Sequence, residues 1–75
     1  MPGRVLPLTS AQVEVILSRH GFRLTAQRGS HRKWVNAERG LKAIVPRHSA
    51  RQLPTGTLLA IMTAAEIPET EWRAS

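Results

Sequence analysis

The stretch Phe22-Arg23-Leu24-Thr25-Ala26-Gln27-Arg28-Gly29-Ser30-His31-Arg32-Lys33-Trp34-Val35-Asn36 decides the fold. Phe22, Leu24 and Ala26 alternate with Arg23, Thr25 and Gln27, the period of two that a half-buried strand shows. Gly29-Ser30 breaks the run, and a second strand carries His31 to Asn36. A turn over residues 37–40 and a third strand over 41–45, stopped by Pro46, complete an antiparallel meander.

Outward from the meander the period changes to that of a helix on both sides. Before it, Val13, Ile16 and Leu17 share one helical face, and Thr9 and Ser10 can accept hydrogen bonds from the first free amides. Gly21 ends this helix where the chain must turn left-handed, with Arg19 and His20 in the last turn to complement the dipole and His20 read as a capping side chain. After it, Leu58, Ile61, Met62 and Ala65 repeat at i, i+3, i+4 and i+7, with Pro54 and Thr55 suited to the helix start. Residues 1–8, with two prolines, read as a flexible lead-in whose apolar run is too short for a signal peptide or a membrane span. Residues 68–75 carry acids and then Trp72, which leaves open both a further helical turn that lays the indole on the body and a frayed end.

Two helices with apolar stripes and a three-stranded antiparallel sheet with one apolar face bury each other as a two-layer α+β sandwich, both helices on one face. With no internal repeat and no long linker, residues 1–75 read as one domain. The other sheet face stays open. If Trp34 joins Phe22 and Leu24 in the core, alternation keeps Arg32 on the same side and sends His31 and Lys33 to the open face. A slip of one residue would bury His31 instead.

The charge points to an anionic partner: 11 Lys+Arg against 5 Asp+Glu give a formal net charge of +6 over 75 residues. Nucleic acid, an acidic membrane surface and an acidic protein all satisfy that charge. Phe22, Trp34 and Trp72 are the only benzene-type rings, too few for a platform that stacks successive bases, so shape and phosphate contacts must dominate. The chain has no cysteine, which removes disulfides and thiolate metal sites and fits a reducing cytosol. Aspartate is absent, and His20, His31 and His48 fall on different elements without a carboxylate pair nearby, so neither a metal nor another cofactor is expected.

Within this basic chain, residues 29–34 set one imidazole among cations beside a glycine turn. Histidine exchanges a proton near neutral pH, while arginine and lysine hold an anion without losing charge. RNA carries its own nucleophile, the 2′-hydroxyl, so cleavage needs a base for that proton, an acid for the leaving 5′-oxygen and positive charge at the phosphorus. Taken one at a time, each of these cations, and His31 too, would be read as a solvated surface group.

Taken together, Gly29-Ser30-His31-Arg32-Lys33-Trp34, Val45-Pro46-Arg47-His48, and Gly56-Thr57-Leu58 followed by Ile61-Met62 and Ala64-Ala65 resemble, in order and spacing, the HicA (YcfA-like) toxin family. The resemblance runs from the first helix to Ile67. It implies an α-β-β-β-α fold similar to a double-stranded-RNA-binding domain. It also implies a cytoplasmic type II toxin, a metal-independent endoribonuclease that cleaves mRNA, inhibits translation and is neutralised by a HicB-type antitoxin. The family's catalytic histidine maps onto His31 alone. Arg28, Ser30, Arg32, Lys33, Arg47 and His48 are then the candidates to hold RNA phosphate. His48 has three open roles: second proton-transfer group, RNA-orienting group, or cap of its own loop. Glu66 departs from the family by standing where a helix-ending glycine is usual, which puts the end of the second helix in question. Two readings from other classes stay open beside the nuclease: a non-catalytic module that binds double-stranded RNA by shape, and a basic protein that only binds an acidic partner.

Overall fold

A computed structural model describes residues 7–47 and 51–73 of the chain. The order is α1 (Ser10–Arg19), β1 (Arg23–Arg28), β2 (His31–Asn36), β3 (Leu41–Pro46), α2 (Thr55–Ala65) and α3 (Glu69–Arg73). The strands form an antiparallel sheet in the order β1-β2-β3. This is the α-β-β-β-α arrangement expected for an α+β sandwich, with one short helix added. His48 and residues 1–6 lie outside the described residues.

Helix α1 starts where a full capping box satisfies its first amides. The Gln12 amide donates to Thr9 Oγ1 at 3.2 Å, and the Thr9 amide donates to Gln12 Oε1 at 2.9 Å. Thr9 is therefore the cap, whereas Ser10 is the first helical residue, buried with its hydroxyl unpartnered. The helix ends at Gly21, whose φ of +86° is unfavourable for any residue with a Cβ. A Cβ there would also meet Asn36 Nδ2 at 3.1 Å, the atom that donates to the His20 carbonyl.

The core lies between the helices and one sheet face. Val13, Ile16 and Leu17 from α1 meet Trp34, Ala43 and Val45 from the sheet and Leu58, Ile61 and Ala65 from α2. Leu8 is buried as well, and its carbonyl accepts from the Leu53 amide at 2.8 Å, so the fold begins inside the segment read as a lead-in. At the other end Trp72 of α3 is fully buried and its indole N–H donates to the Ile67 carbonyl at 3.1 Å. Of the two outcomes left open for residues 68–75, the helical turn is the one observed over Glu69–Arg73.

Helix α2 ends at Glu66, in a conformation that glycine adopts more readily than glutamate. Glu66 adopts φ 53°, ψ 40°, and its amide donates to the Met62 carbonyl. Arg39 from the β2–β3 turn reaches both the Glu66 carbonyl and its carboxylate, each at 3.4 Å.

One sequence expectation fails in β1. Leu24 pairs with Trp34 but Ala26 pairs with Lys33, so Thr25 is an extra residue, a β-bulge, and its hydroxyl donates to the Lys33 carbonyl at 3.3 Å. Strict alternation would keep Phe22, Leu24 and Ala26 on one side. The bulge reverses the phase, leaving Leu24 on Trp34's side of the sheet but 39% exposed and outside the core it was expected to join, and turning Ala26 and Arg28 to the open face.

Candidate functional site

The β1–β2 hairpin places the imidazole. Gly29 takes a positive φ of +59° at the first of two turn residues, a position glycine fills without steric cost. The tight turn sets Arg28 directly across from His31. On the third strand Pro46 stands opposite His31. The next row along the sheet is Ala26, Lys33 and Ile44, and beyond it Arg23, Val35 and Lys42. Neighbours within a row have Cβ atoms about 5 Å apart, and successive rows on one face are about 7 Å apart, two residues along β2 and β3. His31, Arg28 and Lys33 are all exposed, and none of the nine residues in these rows is acidic. Ala26, Arg28, His31, Lys33 and Ile44 surround a shallow depression of about 400 Å³.

The reverse side of β2 explains why the strand shows this face outward. Glu14, a buried carboxylate on α1, accepts from Arg32 Nε at 2.6 Å, from Trp34 Nε1 at 2.8 Å and from Arg47 Nη1 at 3.4 Å. Arg32 also donates from Nη1 to Gln27 Oε1 at 3.1 Å. An ionised carboxylate holds several strong donors at once, and here two of them come from alternate residues of β2. With Arg32 and Trp34 tied beneath the sheet, His31 and Lys33 have to point away from it.

The candidate residues thus divide. His31, Arg28 and Lys33 share the open face. Arg32 faces the helices, its guanidinium engaged by Glu14 and Gln27. Arg47 is exposed on the edge of this cluster; its amide donates to the Ser30 carbonyl at 2.6 Å, which seals the end of β3 against the hairpin turn. Ser30 is exposed in that turn. His20 lies at the far end of α1, its Nε2 3.4 Å from Glu71 Oε1. Among the described residues no three histidine or acidic side chains converge as metal ligands.

The sequence reading missed Glu14, because its partners lie 18, 20 and 33 residues away and only the tertiary register joins them. It also passed over Arg23 and Lys42. Their alternation with Phe22 and Leu24 in one strand and with Leu41 and Ala43 in the other would have placed both on the open face.

Comparison with family models decides the affiliation: the model described as the HicA toxin of bacterial toxin-antitoxin systems matches residues 10–67. The chain belongs to the HicA toxin family. A search of the curated proteins gives no match. The family match covers α1 through the end of α2, so it contains the whole hairpin and the open face, while α3 with Trp72 lies beyond it. This HicA chain is accordingly a toxin of a toxin-antitoxin pair, with an antitoxin as its partner. No helix among the described residues is long and apolar enough to cross a membrane.

Proposed function

We propose that this HicA chain is an endoribonuclease that cuts mRNA with His31 and is held inactive by a HicB-type antitoxin in the cytoplasm. The observation that carries the reading is the exposed imidazole of His31, beside Arg28 and Lys33 on a sheet face whose strands contribute no acid.

His31 takes the proton of a ribose 2′-hydroxyl; the 2′-oxygen attacks the adjoining phosphorus, and the bond from phosphorus to the 5′-oxygen breaks. The products are a 2′,3′-cyclic phosphate and a 5′-hydroxyl, the latter receiving a proton from the imidazolium or from water. Arg28 and Lys33 stabilise the charge that develops on the phosphate oxygens. Arg32 and Arg47 serve the site from beneath, through Glu14 and through the Arg47 amide on Ser30. His48 follows Arg47 directly and stays a candidate for the second proton transfer.

The test is incubation of the purified protein with a single-stranded transcript, alongside His31→Ala. The wild type should yield fragments ending in cyclic phosphate, in the presence of EDTA as well as without it. The variant should stay folded, release no fragments and no longer slow growth on induction. Equal cleavage or equal toxicity of the two proteins would refute the role of His31. RNA binding by the wild type without any new fragments would favour a binding-only module.

A further inference from the structure

We infer that the depression between Ala26 and Ile44 seats the unpaired nucleoside next to the phosphate held at His31. The inference deepens the ribonuclease reading and rests on it for the placement of that phosphate.

Ile44 is 46% exposed at the centre of β3, on the sheet face opposite the core. A solitary exposed isoleucine is ordinary. This one is set apart by its neighbours. It lies across from Lys33, which in turn lies across from Ala26, so two apolar side chains flank one lysine in a single cross-strand row. The row below holds Arg28 and His31. A ligand that is anionic at one end and offers an apolar face about 7 Å further along complements both rows. A nucleotide has that form, because its base lies one ribose away from its phosphate.

The shape agrees with the chemistry. A depression of about 400 Å³ falls within the roughly 300–1,000 Å³ of small-molecule sites. Ala26 leaves the space open on the β1 side because its side chain is a single methyl, and it stands there only because the Thr25 bulge turned it outward. The aliphatic stem of Lys33 forms the floor while its ammonium reaches a phosphate. The base has to be unpaired, since in a duplex its faces are stacked on its neighbours and only its edges are presented.

The test measures binding of a short, unstructured single-stranded RNA to the His31→Ala protein by fluorescence anisotropy, so that affinity is read independently of cleavage. Ala26→Leu fills the depression and Ile44→Ala removes its wall. Each, added to His31→Ala, should raise Kd about fivefold, in keeping with the loss of a few buried methyl-sized contacts. Ile44→Val and the remote exposed substitution Leu59→Ala should leave Kd within about twofold. Both tested positions are exposed, so thermal melting should stay close to the parent and exclude unfolding as the cause. Unchanged affinity in Ala26→Leu and Ile44→Ala overturns the inference even if the wild type cleaves RNA. Weakened affinity supports it even if the wild type releases no fragments, an outcome that instead defeats the nuclease reading.

Discussion

Glu14 is the residue on which the orientation of the site depends. It is the only buried acid among the described residues, and removing its side chain strands the Trp34 N–H and Arg32 Nε without their acceptor, Gln27 holding only Arg32 Nη1. Glu14→Ala should cost about 3 kcal/mol, measured by denaturant unfolding, because a donor left without a partner inside a protein loses its solvation with no return. Glu14→Gln keeps one acceptor oxygen, and because Arg32 Nε and Trp34 Nε1 share Oε2 it should cost less than Glu14→Ala; equal losses would show that these hydrogen bonds are not what holds β2 to α1. Glu66 is the opposite case. It occupies a left-handed conformation that suits glycine, and its contact with Arg39 is exposed. Glu66→Gly should therefore raise stability by about 0.5–1 kcal/mol, seen as a higher Tm. Such a gain would mean that glutamate is tolerated at this position at the expense of stability.

At the scale of the elements, the phase of β2 was legible and that of β1 was not. Period two sends His31 and Lys33 outward on the condition that Trp34 is buried, a slip of one residue being the alternative, and the structure meets that condition. In β1 a single inserted residue reverses the faces, and Thr25 carries no mark in the sequence that separates a bulge from an ordinary strand position. Arg28 reached the open face by that route. Arg32 was legible as a core-side residue but not as a partner of Glu14, since local patterning says nothing about which helix lies over a strand. Helix α3 was ambiguous because five residues cannot sustain a helix alone; tertiary burial of Trp72 decides it. Trp72→Ala should cost about 3–5 kcal/mol, a large share of the roughly 4–11 kcal/mol typical of a domain this size, and should lower Tm sharply. A change of less than ~1 kcal/mol would show that α3 is an ornament on a fold completed by Ile67.

For the molecule as a whole, the net charge of +6 matters less than where its cations stand. Arg32, Arg39 and Arg47 are each within 4 Å of a carboxylate, whereas Arg23, Arg28, Lys33 and Lys42 share the open face, which has no acid on its strands. A polyanion approaching the sheet meets four positive groups and the imidazole, and an antitoxin that presents carboxylates there would neutralise the same groups while covering His31. If each of the four cations meets one phosphate, release of condensed counterions from a single strand sets the slope of log affinity against log salt at about −3. Replacing Arg28, Lys33 or Lys42 by Gln should make that slope shallower by roughly 0.7 for each residue, with the fold unchanged. Arg39→Gln, which removes a cation already paired with Glu66, should leave the slope as it is, although the net charge falls by the same amount. Anisotropy titrations of a single-stranded RNA at several salt concentrations separate the two groups. If Arg39→Gln flattened the slope as much as Lys33→Gln, binding would follow overall charge, and the open face would have no special claim on the RNA.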